Sequence, residues 1–152
     1  MKPMSDGQWE AFVLSGTRTA KLATQRKNGR PHVTPVWFLL DDSAGDSAAG
    51  GRPEVVFTTW HASVKAKALL RDPHFALCVD DQVPPYGYVM LECTARLAQD
   101  DPGLRTWATR IGARYMGDEA ADAYGERNSV PGEYLVRATI DRVIAFEGIA
   151  EQ

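Results

Sequence analysis

The most constraining feature of this chain is the hairpin signature Asn28-Gly29, set between two stretches in which apolar and polar side chains alternate. Both turn positions tolerate positive φ, so a two-residue turn can reverse the chain there. Upstream, Thr19–Gln25 carries Ala20, Leu22 and Thr24 on one face and Lys21 and Ala23 on the other. The returning strand is predicted to run from His32 to Leu40. Pro35 cannot donate to a ladder, so it should mark a bulge or an unpaired edge. A chain that reverses this tightly builds an antiparallel sheet.

The remaining pattern agrees. Ser5 or Asp6 can cap a first helix carrying Trp9, Phe12 and Val13, closed by Ser15-Gly16. Residues 41–53 contain no large apolar side chain and read as a flexible hairpin loop. Glu54–Thr59 is a third strand. His61–Leu70 has the spacing of a short helix with Val64, Ala68 and Leu69 inward, closed by Arg71-Asp72-Pro73. Strands are expected at Phe75–Val79 and Tyr88–Gln99, joined by the turn-rich 80–87. Asp101-Pro102 offers a cap followed by proline at the first helical position. The next helix would present Leu104, Trp107, Ile111 and Tyr115 on one face, with a further helical segment over Asp118–Arg127. Tyr134–Ile140 and Arg142–Phe146 close the chain as strands. Short connections dominate, which predicts a mainly β fold: an antiparallel barrel with helices packed at its openings, in one domain over residues 1–152.

With 152 residues, 44% apolar and 24% charged, the chain can bury an ordinary core without disulfide or metal support. No apolar run reaches the roughly 18–20 residues of a membrane span, and the polar start resembles no secretory leader, so a cytoplasmic, soluble protein is expected. Cys78 and Cys93 sit in apolar runs and read as buried free thiols. Residues 1–75 hold 10 Lys/Arg against 7 Asp/Glu, whereas residues 76–152 hold 7 against 13. Acid-free stretches around Arg18–Arg30 and Lys65–Arg71 suit a local anionic ligand. Duplex nucleic acid would need an extended basic face, and a protein this acidic does not offer one.

No Gly-x-Ser-x-Gly, His-Glu-x-x-His, Walker loop or Gly-x-Gly-x-x-Gly is present, and His32, His61 and His74 lack metal-ligand spacing. No catalytic side chain stands out. The informative segment is Thr58-Thr59-Trp60-His61-Ala62-Ser63-Val64-Lys65, where a strand ends in hydroxyls and a helix begins beside a lysine. One reading is a phosphate cradle at a helix N-terminus. The other is capping hydroxyls beside a solvent-facing lysine.

Leu22-Ala-Thr, Gly29-Arg-Pro-His-Val-Thr-Pro-Val-Trp-Phe38, Val56-Phe-Thr-Thr59, Ser63-x-Lys65 and Leu69-Leu-Arg-Asp-Pro73 together resemble the flavin/deazaflavin oxidoreductases related to pyridoxamine 5'-phosphate oxidase. The likeness continues through Tyr88–Ala95 and Tyr134–Phe146, so it spans roughly residues 10–148. It implies an FMN-binding split β-barrel that forms a homodimer, with a cofactor in each of two grooves at the subunit interface. By matching positions, His32, Val33, Thr34, Pro35 and Val36 would line the ring system. Thr58, Thr59, Ser63 and Lys65 would surround the cofactor phosphate, with Lys67 as a helper, and the partner would close the site from around Tyr86 and Tyr88. Cys93 and Ala68 stand where relatives often have glycine and asparagine, so neither takes a ligand role. The Arg-Leu-x-Pro-x-Arg type ending of vitamin B6 oxidases is missing, which argues against pyridoxamine phosphate oxidation.

The resemblance implies an oxidoreductase using coenzyme F420, a deazaflavin, to pass hydride to a small conjugated organic acceptor. The alternatives are an FMN-dependent oxidoreductase and a non-catalytic flavin or deazaflavin carrier. The long anionic tail of F420 would suit the basic run Arg18–Arg30 besides Lys65 and Lys67.

Overall fold

The structure, a computed structural model, describes residues 1–44 and 51–151. Its strands are β1 (Lys2–Pro3), β2 (Ala20–Gln25), β3 (Pro31–Val36), β4 (Leu39–Asp41), β5 (Glu54–Trp60), β6 (His74–Asp80), β7 (Gly87–Ala98) and β8 (Glu133–Glu147). They form one antiparallel sheet in the order β3-β2-β6-β7-β8-β5-β4, with β1 added to the end of β8. The two ends of that path, β3 and β4, are separated in sequence only by Trp37 and Phe38. The hydrogen-bonded path is therefore open, yet its ends belong to one bent segment. That is a split barrel.

The bend corrects the expectation of one strand from His32 to Leu40. Its first part pairs with β2 and its second with β5. At the break, the Phe38 N–H donates to Tyr115 Oη at 3.3 Å and the Phe38 carbonyl accepts from Arg114 Nη1 at 2.8 Å. Side chains of a helix thus take over backbone groups that a continuous strand would give to a neighbour. The β4–β5 register confirms a hairpin around the predicted loop, of which residues 45–50 lie outside the described residues.

Ser5 caps α1 (Asp6–Leu14) in a capping box with Gln8, and the helix buries Trp9 and Val13. Helix α2 (Val64–Arg71) is capped by Ser63. Ala66, Ala68 and Leu69 face inward, whereas Val64, expected inside, is the first residue of the helix and is exposed; the helix starts three residues later than predicted. Helix α3 (Leu104–Met116) likewise begins after Gly103. Asp101 makes a turn instead of the predicted cap, its Oδ1 accepting the Gly103 N–H at 2.7 Å. A single 3-10 turn, Asp118–Ala120, leads into α4 (Ala121–Arg127). The two predicted closing strands are one strand, β8, with Asp141 as the extra residue of a bulge opposite Glu92 and Cys93.

The barrel interior is a single apolar cluster that includes Leu22, Phe38, Phe57, Leu77 and Leu91. A second cluster under α3 joins Val56 and Leu135 to Leu104 and Trp107. Cys78 and Cys93 are free thiols. Among the described residues no helix is long and apolar enough to cross a membrane, and no group of three His, Cys, Asp or Glu side chains is placed to hold a metal.

Candidate functional site

Strand β5 runs out of the barrel at Thr58-Thr59-Trp60, and the alternation of a strand buries Thr59 while leaving Thr58 half-buried. Three residues later Ser63 starts α2. Its hydroxyl accepts the Ala66 N–H at 3.1 Å and lies 3.0 Å from Thr59 Oγ1. Thr59 and Ser63 therefore hold the strand-to-helix corner together. Lys65, in the first turn of α2, turns toward a cleft of about 320 Å³.

One wall of this cleft is Pro35, Val36 and Trp37, where β3 reaches its bend. The floor is Thr58, Thr59 and Trp60 with Lys65, and the opposite wall comprises Ile111 of α3, Arg127 and Asn128 at the end of α4, and Glu133 at the start of β8. Trp37 is fixed by stacking on Tyr115, with ring centroids 5.1 Å apart and planes within 6°, and by Tyr124 at 5.6 Å. Gly132 lets the chain pass close to the Trp60 ring: a Cβ there would lie 2.8 Å from it, and the residue has φ of +100°.

Among the described residues, no ion pair or side-chain hydrogen bond engages Lys65, Arg127 or Glu133. Burial pushes the Lys65 ammonium below its usual range, opposed by the field of Glu133. Burial pushes the Glu133 carboxyl above its usual range, opposed by Lys65 and Arg127. Glu133 thus feels the fields of Lys65 and Arg127 without forming an ion pair with either. Thr58, Lys65, Arg127 and Asn128 present hydrogen-bond donors to one space, a donor set that fits a phosphate-bearing group.

Of the eleven residues expected at the site, the structure brings Pro35, Val36, Thr58, Thr59 and Lys65 to this cleft. Ser63 stands just behind it as the helix cap. Lys67 is exposed on α2 and lines none of the cleft. His32, Val33 and Thr34 lie farther back along β3, with Val33 outward and exposed and His32 and Thr34 half-buried. The His32 Nδ1 and the Oγ1 of its cross-strand partner Thr24 are buried without a hydrogen-bond partner. Because β3 is an edge strand, its outer backbone groups face away from the sheet. Tyr86 sits elsewhere in the chain, in a separate depression with Phe12, Val83 and Glu147, and has φ of +65°.

The basic run beyond the cleft behaves differently from expectation. Arg18 pairs with Asp81 at 3.0 Å and Lys21 with Asp80 at 2.8 Å. Arg26, Lys27 and Arg30 are exposed around the β2–β3 turn, with Arg30 roughly 16 Å along the strand from Pro35. Sequence reasoning missed Trp37, Trp60, Ile111, Arg127, Asn128 and Glu133 as cleft residues. Nothing local marks Arg127 or Glu133, which only the packing of α4 and β8 brings opposite Lys65.

Comparison with known proteins follows the same fold. The solved structure of the conserved hypothetical protein Rv2991 from Mycobacterium tuberculosis is 26% identical with a TM-score of 0.73, covering 95% of this chain and 86% of that one. An F420 reductase is 20% identical with a TM-score of 0.63, covering 88% of this chain and 94% of that one. HutZ, the heme storage protein from Vibrio cholerae, is 16% identical with a TM-score of 0.68, covering 95% and 97%. No curated protein matches the chain. The last two structures carry names for different ligands, so the shared architecture does not by itself choose one. The sequence profile of the pyridoxamine 5'-phosphate oxidase family matches residues 5–146, nearly the whole length, and the chain belongs to that family.

Proposed function

We propose that this protein is an oxidoreductase that binds coenzyme F420 in the cleft and delivers hydride from it to a small conjugated organic acceptor. The observation that carries the reading is Lys65: a half-buried ammonium with no partner among the described residues, facing a cleft beside Thr58 and opposite Arg127. A buried charge without a bridge is costly, and a bound phosphate would offset that cost. Thr58, Lys65, Arg127 and Asn128 would hold the phosphate, and the outer edge of β3 at Pro35 and Val36 would lie along the ring system. The bound deazaflavin supplies the hydride chemistry, while the chain binds it, orients it and excludes water. FMN is the alternative cofactor, since the same donor set accepts either phosphate.

The proposed assembly is a homodimer. On the outer face of β6, β7 and β8, cross-strand neighbours Cys78, Met90 and Ile144 form one apolar row and Tyr88 and Phe146 the next. All five are half-buried in the single chain. The ion pairs Lys21–Asp80 and Arg142–Glu92 flank the rows, giving an apolar centre with a polar rim. A second copy seated there is the proposed source of the Tyr86 segment at the cofactor.

Gel filtration of protein incubated with F420 or FMN tests the reading. F420 is expected to elute with the protein, and its reduced form to be oxidised when a panel of conjugated acceptors is added. Elution of both cofactors apart from the protein would overturn the proposal. Co-elution without turnover on any acceptor would make the protein a carrier.

A further inference from the structure

The cleft holds three formal charges, each from a different element: Lys65 of α2, Arg127 of α4 and Glu133 of β8. Its other lining residues, from β3, β5, α3 and Asn128, carry no charge. With Glu133 ionised, the cleft carries one net positive charge. Glu133 makes no hydrogen bond or ion pair through its side chain with any described residue, so structural demand does not account for its position at the cleft wall. Its backbone pairs in the sheet opposite Trp60, which brings Glu133 to the strand-to-helix corner at the end of β5, where it lines the cleft.

We propose that Glu133 shifts the preference of the cleft away from a doubly charged phosphomonoester and toward a singly charged phosphodiester. This rests on the reading that the cleft holds the cofactor phosphate. Lys65 and Arg127 attract every negative charge brought into the cleft, and the Glu133 carboxylate offsets part of that pull in proportion to the ligand's charge. A phosphodiester carries one negative charge and a phosphomonoester, with a second pKa of about 6, close to two at pH 8, so repulsion by the carboxylate weakens the monoester roughly twice as much in free energy. Coenzyme F420 joins its tail through a phosphodiester and FMN ends in a monoester. Glu133 is therefore the specificity-determining residue between them.

The test compares FMN with its methyl phosphodiester, two ligands of identical ring and ribityl chain that differ by one charge. Both are titrated at pH 8 into the wild-type protein and Glu133→Gln, with quenching of flavin fluorescence as the readout. The ratio of diester to FMN affinity is expected to be about tenfold higher in the wild type than in Glu133→Gln, the factor carried by one charge contact of about 1.4 kcal/mol. Glu133→Gln should tighten both ligands, FMN by about tenfold more than the diester. Thermal denaturation of the variant establishes that it is folded. Binding of both ligands with a preference that Glu133→Gln leaves unaltered would overturn this inference and spare the cofactor site. Failure of both ligands and of F420 to bind either protein would overturn the site itself and the inference with it.

Discussion

Lys65 and Lys67 lie two residues apart on one short helix, and their fates differ because α2 turns about 100° per residue. Lys65 faces the cleft and loses water, whereas Lys67 stays exposed. The segment Thr58–Lys65 was legible as a corner where hydroxyls and a cation meet, yet the hydroxyls divide their work. Thr59 and Ser63 serve the corner itself, and Thr58 is left facing the cleft with Lys65. Glu133 was not legible, since one acid at the start of a strand has no periodic signature. Its raised pKa makes a stability prediction. The folded state favours its protonated form, so its contribution is full below about 4.5 and is lost as pH rises through the higher folded value. Glu133→Gln imitates the protonated form at every pH. Its melting temperature should exceed the wild type's at pH 7.5, and the difference should vanish near pH 4. An equal difference at both pH values would contradict the assignment.

At the scale of elements, the α3–α4 hairpin closes the barrel by gripping backbone. Arg114 donates to the carbonyls of Gly16, Phe38, Val13 and Arg18, and Tyr115 Oη donates to Arg18 O at 2.8 Å. These contacts tie α3 to the end of α1 and to the β3–β4 bend, which in turn sets Trp37 in the cleft wall. Close approach of α4 is possible because Gly112 has no side chain: a Cβ there would lie 2.7 Å from the Tyr124 Cβ. Arg114→Ala leaves several part-buried carbonyls without a donor and should cost about 2–4 kcal/mol. In a chain of this length that lowers the melting temperature by roughly 5–15 °C. A change under 2 °C by calorimetry would show that the clamp is not structural. The amphipathic faces of α1 and α3 were readable from spacing alone. The break at Trp37-Phe38 was not, because it depends on side chains some 76 residues away in sequence.

For the whole molecule, hairpin signals and short connections were enough to read an antiparallel barrel. They did not show that its two sheet ends are one bent segment, since that closure is a long-range property. Trp107 belongs to the cluster under α3 and Trp60 stands exposed at the cleft, so the tryptophans do not mark a surface for a partner. The apolar rows on β6, β7 and β8 are the better candidate. Light scattering at micromolar concentration should give twice the chain mass, and Met90→Glu should reduce it to one. A wild-type monomer would remove the shared-site arrangement. The central claim, that Lys65 anchors an anionic cofactor, is tested most directly by equilibrium titration of wild type, Lys65→Ala and Lys27→Ala with F420 and with FMN. Charge-assisted hydrogen bonds of about 1.5–3 kcal/mol predict a loss of roughly 10- to 150-fold for Lys65→Ala. Lys27→Ala, in the distant β2–β3 turn, should bind like the wild type. Equal small losses for the two variants with both cofactors would leave only diffuse electrostatics and contradict the account.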